Sequence, residues 1–326
     1  MPLSKIDEAG LASNAQYTGF KNRIINGAMA IAQRGTSFTS VGNSGSVPAY
    51  TLDRWFGWRG AWTANLDVSQ QTGWGSYQYA MRVQRTSGTS STASINIAQI
   101  IESINCYDLA GQNVTISLGM RSGANYSGGQ VSVIAQFSTA ANQTSSGLGN
   151  GTWTGQTGLS QNFTITTTAT SYSLTVAVPS NALSVALQIN WTPTGIAGTN
   201  DYIEITGVQL EKGSTATSFD YRPYGTELQL CQRYFEKIGG TTAADIYYVG
   251  GGTSGHNFST TIGMVYKRVA PIVTVVGTWT VVTCNQPSVR STSEQCITFG
   301  SSWTGTTGAG SFASTTSAYL TASAEL

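Results

Sequence analysis

Asn113-Val114-Thr115-Ile116-Ser117-Leu118-Gly119-Met120-Arg121 places Val114, Ile116, Leu118 and Met120 on one side of an extended chain and mostly polar residues on the other. Successive side chains of a strand point to opposite faces, so a period of two with one apolar side predicts a half-buried β-strand. The pattern recurs outward in both directions. Upstream, Met81 and Val83 alternate within Ala80–Gln84, and Ile95 and Ile97 within Ser94–Ile100. Downstream it is carried by Val131, Val133, Ala135 and Phe137, by Phe163 and Ile165, and by Tyr172, Leu174, Val176 and Val178. Leu183, Val185, Leu187, Ile189 and Trp191 continue it, and Tyr202–Val208 completes the set. Gly, Asn and Ser fill the intervals. About eight strands over about 190 residues predict an all-β antiparallel sandwich, with a jelly roll as the expected arrangement.

Composition agrees with a folded β protein. Of 326 residues 40% are apolar and the net charge is +1, which excludes the low-hydropathy, high-charge signature of disorder. Only 10% are charged, far below the usual quarter. Scattered arginines in a near-neutral chain argue against a nucleic-acid partner, which needs a clustered basic face. No apolar run is long enough to span a bilayer, and Met1–Asn14 shows no apolar core of a secretory signal. The four cysteines lack zinc spacing. Cys106 and Cys231 lie among apolar residues and read as buried thiols, whereas Cys284 and Cys296 would bridge a hairpin only in an oxidising compartment. No metal or cofactor is called for.

Between Arg121 and Asp201 no Lys, Arg, Asp or Glu occurs. Sheet edges are normally guarded by charge, so subunits are expected to cover much of this surface. The interval Ser138–Ser160, with Trp153, is open between a functional and a disordered loop.

Four segments follow along the chain. Residues 1–19 form a leader in which Ser4 and Asp7 suggest a short capped helix, either a frayed terminus or an attachment peg. Residues 20–225 hold the sandwich. Residues 226–237 read as a connecting helix: Thr226 and Gln229 resemble a capping box, Leu228, Cys231 and Phe235 share a face, and Gly239-Gly240 stops it. Residues 238–326 form a smaller β domain. Its strands are expected at Asp245–Val249, Phe258–Val269, Ile272–Val282 and Gln295–Phe299, with a tail at Ser301–Ser323.

Within the large domain, Tyr50–Trp58 packs aromatics around Asp53 and Arg54. This reads as a core corner that includes Trp55, with Arg34 a partner for Asp53 across the domain. No nucleophile–base pair, metal-binding motif or phosphate-binding loop appears. The run Gly147–Gly151 lacks the helix that should follow a phosphate loop. The one histidine, His256, sits in a Gly-rich loop and reads as solvated. Asp245 and Glu294 are the carboxylates of the second domain before Glu325, too sparse to favour a glycosidase. Binding fits better than catalysis. Tyr247, Tyr248, His256, Tyr266, Trp279 and Trp303 suit sugar faces, although Trp and Tyr also favour strand cores.

The segments Asn22-Arg23-Ile24-Ile25-Asn26-Gly27, Gln33-Arg34-Gly35 and Tyr50-Thr51-Leu52-Asp53-Arg54-Trp55 form an ordered set. With them go Leu109–Ser117 and Gly207–Phe235, the last containing Arg222, Gln232 and Arg233. Over about residues 20–237 this set resembles a family of bacteriophage virion proteins, tail fibres or tail-associated proteins. The resemblance implies a jelly-roll domain similar to carbohydrate-binding modules, assembled as homotrimers on the virion. It assigns structural rather than catalytic roles to Arg34, Asp53, Arg54, Trp55, Arg222, Gln232 and Arg233. The expected function is therefore a non-enzymatic tail fibre. It would join other tail or baseplate proteins by its N-terminus and meet a host glycan or receptor by its C-terminal domain. A capsid decoration or head fibre is the structural alternative, and a polysaccharide depolymerase the enzymatic one.

Overall fold

The computed structural model describes residues 20–41, 47–60, 66–305 and 307–326. The leader expected within residues 1–19 lies outside them. The chain divides into two compact units, Met1–Glu227 with Leu326, and Leu228–Glu325.

The first unit contains β1 (Ser37–Phe38), β2 (Ala49–Tyr50), β3 (Phe56–Arg59), β4 (Leu66–Thr72), β5 (Tyr79–Arg85), β6 (Ile95–Ile101), β7 (Asn113–Ser122) and β8 (Val131–Ser138). A short helix α1 (Ser145–Asn150) follows, then β9 (Thr157–Phe163), β10 (Thr170–Ala177), β11 (Ser184–Trp191) and β12 (Tyr202–Lys212). Two six-stranded antiparallel sheets result, ordered β1-β4-β5-β12-β7-β10 and β2-β3-β6-β11-β8-β9. They pack face to face as a jelly-roll sandwich. The residues that alternate in sequence fill the space between them: Val114, Ile116, Leu118 and Met120 from β7 meet Val131, Val133, Ala135 and Phe137 from β8 and Val185, Leu187 and Ile189 from β11. Each of these side chains other than Ala135 contributes about 1.5–3 kcal/mol by leaving water.

The Ser138–Ser160 interval contains a folded element. Thr144 caps α1 by accepting the Gly147 N–H, Gly151 ends it in the left-handed region, and Trp153 is buried with its indole N–H donating to Thr144 O at 2.8 Å. The run Gly147–Gly151 is thus the helix itself and its cap rather than a phosphate loop. In β12 the register slips between Thr206 and Gln209 opposite β7. Gly207 takes φ +61° there, and a Cβ on it would sit 2.4 Å from the Tyr77 ring, so this bulge needs glycine.

Helix α2 (Tyr224–Gln232) begins two residues before the expected start and ends five before the expected end. The cause is pairing. Phe235, Glu236 and Lys237 are strand residues, opposite Ser323, Ala322 and Thr321, and backbone ladder bonds to a partner outweigh a marginal last helical turn.

The second unit contains β13 (Phe235–Ile238), β14 (Tyr247–Thr253), β15 (Asn257–Gly263), β16 (Ile272–Val276), β17 (Thr280–Val282), β18 (Ser288–Thr292), β19 (Cys296–Ser302), β20 (Thr307–Ala313) and β21 (Tyr319–Ser323). They make three antiparallel three-stranded sheets, β13-β21-β16, β14-β20-β17 and β15-β19-β18. The chain visits the sheets in turn, revisits them in the same order, and returns in reverse. This last pass supplies every middle strand. The low-charge tail Ser301–Ser323 thus holds two central strands, and the Gly-rich stretch 250–252 lies in β14. The shared core is aromatic, built on Phe258, Trp279, Phe299, Phe312 and Trp303 with Leu320.

Candidate functional site

The six binding residues expected in the second unit are not brought together. Trp279 and Trp303 are corrected outright, being 2% and 3% exposed and part of the core. Trp279 packs on Phe299 at 5.0 Å between ring centroids. Trp303 fits only because residue 310 is glycine, whose Cβ would lie 2.2 Å from the indole. Neither ring offers a face to a ligand. Tyr248 is half-buried and stacks on Phe258 at 5.9 Å, so it too is chiefly a core residue. His256 is exposed at the β14–β15 turn, where Nδ1 lies 2.7 Å from Thr253 Oγ1 and the His256 backbone N–H donates to Thr253 O at 3.0 Å. It shapes the turn. Tyr247, 59% exposed, stands on the outer face of β14 with Val249.

Tyr266 is different. The segment after β15 is pinned by backbone bonds from Met264 N to Gln295 O (2.9 Å) and from Lys267 N to Glu294 O (2.8 Å). Lys267 points inward and is fully buried, with Nζ 2.5 Å from Glu236 Oε2 and donating to Gln232 O at 2.5 Å. Burial pushes its pKa below the usual lysine value, opposed by Glu236. The neighbouring Tyr266 is left 52% exposed beside a groove of about 430 Å³ lined by Ala270, Ser293, Glu294 and Gln295. The Glu294 carboxylate lining the same groove raises the phenol pKa. A ring face, a carboxylate, an amide and a hydroxyl around one groove is chemistry that can hold a sugar ring. Asp245, by contrast, is tied to the hydroxyls and N–H groups of Thr241 and Thr242, with Thr241 N 2.8 Å away. These bonds hold its carboxyl far below the usual range, which suits a turn anchor and not a general acid.

In the first unit the motif segments converge on a cavity of about 280 Å³ lined in part by Asn22, Asn26, Asp220, Tyr221, Arg222 and Glu227. Their polar groups are largely committed to one another. Asp220 Oδ2 accepts the N–H of Lys21 and Asn22 at 2.9 and 3.1 Å. Asn22 Oδ1 accepts Ile24 N and Leu210 N, and its Nδ2 donates to Val208 O. Arg222 pairs with Glu227 at 3.1 Å and donates to Asn22 O and Ile24 O. Asn26 bridges Ile31 O and Asp53 O and receives the Trp55 indole N–H at its own carbonyl. Asp53 accepts Gln33 N and Nε2 at 2.7 and 2.6 Å, while Arg34 lies over the Tyr50 ring at 5.3 Å. Arg54, with φ +71°, is buried and donates to Ile100 O. These residues lace residues 20–55 to residues 207–227. Gln232 and Arg233 give backbone acceptors to Lys267 Nζ and Arg268 N.

The sequence reading missed a third place, on the outer face of the sheet containing β12. Glu204, with 0% side-chain exposure, accepts Arg82 (2.6 Å) and Arg121 (2.5 Å), whose side chains are 26% and 34% exposed. Arg82 lies over the Tyr202 ring at 3.9 Å and Arg121 over Trp74 at 4.8 Å. One signal was present: Arg121 and Asp201 bound the charge-free stretch, and both are ion-paired. Among the described residues no group of three or more His, Cys, Asp or Glu could hold a metal ion, and no helix is long and apolar enough to cross a membrane.

No family model matches the chain, and no curated protein matches it. Solved structures give distant likenesses. The enzymatically active domain of bacteriophage CBA120 tailspike protein 4 is 14% identical over 59% of this chain and 21% of that one, with a TM-score of 0.36. The CBM22-1–GH10 modules of Clostridium thermocellum xylanase 10B, complexed with xylohexaose, are 11% identical over 56% and 30%, at 0.34. The CBM22-1 xylan-binding domain of Paenibacillus barcinonensis Xyn10C is 12% identical over 55% and 94%, at 0.33. This chain thus spans about a fifth of the tailspike chain and under a third of the xylanase chain. Likeness this distant carries no argument about ligand or activity.

Proposed function

We propose that this chain is a structural protein of a bacteriophage virion, a homotrimeric tail fibre whose second unit contacts a host-surface glycan. The Tyr266 groove carries the glycan reading: an exposed ring with Glu294, Gln295 and Ser293 beside it supplies an apolar platform and polar atoms for sugar hydroxyls. Placement on the virion rests on the motif set of residues 20–237, and attachment through the N-terminus rests on the same resemblance. Trimerisation is supported by the charge-free stretch between Arg121 and Asp201 and by the exposed Tyr247, Val249 and Val282 on the β14-β20-β17 sheet. Weak sites presented three at a time gain avidity of about 10²–10⁴.

Light scattering should give three times the 34.3 kDa chain mass, and Tyr266→Ala should abolish adsorption to host cells or their extracted polysaccharide. A monomer with unchanged adsorption in that variant would sink the reading. Reducing ends released from the polysaccharide and lost in Glu294→Gln would favour the depolymerase instead.

A further inference from the structure

We propose that the outer face of the β12 sheet carries a second, independent binding site, for a carboxylate-bearing sugar, with Arg121 as its principal anion receptor. Three observations converge on it. First, two arginines share the single buried carboxylate of Glu204. Arg82 spends Nε and Nη2 on Oε1, and Arg121 spends only Nε, on Oε2. Both terminal nitrogens of Arg121 therefore lack a protein acceptor among the described residues. The next carboxylate on this face, Asp67, is engaged by Thr86 Oγ1 and Ser40 N.

Second, the guanidiniums are held ready. Each is gripped at Nε by the buried carboxylate and flanked by a ring, Tyr202 or Trp74, which lowers the ordering cost of an ion pair. Third, a groove of about 300 Å³ starts beside Trp74, whose ring packs over Gly119, two residues along the same face of β7 from Arg121. Its lining includes Tyr77, Ser117, Gly119, Ser171, Ser173 and Phe219 and holds no charged residue. A ring lying over the hydroxyls would bring its carboxylate to the free edge of Arg121. Planar guanidinium matches planar carboxylate through two parallel N–H···O bonds. This site does not depend on the Tyr266 groove.

Affinity electrophoresis of the full chain through polygalacturonate, alginate, hyaluronate and dextran tests it. At least one acidic polymer should retard the protein and dextran should not. Arg121→Gln should weaken that retardation by roughly tenfold or more. Ser171→Asp, an exposed change on edge strand β10 that leaves Glu204 and both arginines in place, should weaken it comparably and guards against misfolding of the first variant. Tyr266→Ala should leave it intact. Retardation by none of the acidic polymers, or retardation indifferent to both variants, overturns the proposal. Relief by inorganic phosphate beyond that of chloride at equal ionic strength overturns the carboxylate assignment.

Discussion

In the first unit Arg85 is 1% exposed with Asp201 2.8 Å away, whereas in the second the comparable depth is filled by Phe258, Phe299, Phe312 and Trp279. Arg85 donates to Ser127 Oγ and to the carbonyls of Thr89, Ser91, Thr194 and Gly195, and Ser127 N and Oγ donate to Asp201. One guanidinium therefore ties three loops together. The second unit has Lys267 as its one fully buried cation among the described residues, and gains its fit from rings set against glycines. The contrast shows two uses of a charge-poor sequence. Where charges are few, the first unit keeps them inside as fasteners for loops. The second keeps a single such fastener, Lys267, and lets missing side chains make room for large ones.

The first unit depends most heavily on inward charge at Asp201. Asp201→Ala leaves Arg85 buried without its counter-ion and should cost the first unit about 3–5 kcal/mol. Hydrogen exchange should quicken across residues 86–94, 123–130 and 192–201 first. A loss below about 1 kcal/mol would mean that backbone acceptors alone hold these loops. Gly310→Ala tests the other half. Its methyl collides with Trp303 and should cost the second unit about 1–3 kcal/mol or more, with altered tryptophan fluorescence. The same assay should show the first unit unmoved.

Thiol accessibility reports the packing of both units with a smaller signal. All four cysteines are thiols, Cys106, Cys231 and Cys284 buried and Cys296 half-buried, and burial pushes Cys106 up to about 11. Native protein at pH 8 should therefore react first at Cys296, and at Cys106 only on unfolding. The smallest effect is expected at Asp245. Its native carboxyl titrates below the unfolded value of about 3.9, so its contribution is present above that pH and is lost as pH falls through the native value. Asp245→Asn should make the acid limb of second-unit stability shallower, measured as unfolding midpoints in urea below about pH 4.

Periodicity disclosed the sandwich because each β7 or β8 residue has a simple choice between core and outer face. It was weaker for the second unit, where the core depends on an absence. Gly250 leaves space for Phe258 and Gly310 for Trp303, yet in a sequence a glycine run signals a loop before a packing partner. Trp279 and Trp303 drew attention as ligand platforms for the same reason: exposure depends on what lies opposite, and register is unknown until strands pair. Tyr266 could be named but not its groove, since Glu294 reaches it from 28 positions along the chain. The Arg82–Glu204–Arg121 cluster spans three strands and left no local trace beyond its scarcity of neighbouring charge.

The return path through the second unit has a consequence for synthesis. Each of β13 to β18 finds its ladder partner only in β19, β20 or β21. A ribosome that has released the unit up to residue 295 has delivered six extended segments and none of the strands that join them. Assembly must then wait for the final 30 or so residues and proceed in one step, against long loop closures. A chain stalled or clipped in that window would display unsatisfied edges, an invitation to aggregate that the cell must either shield or degrade.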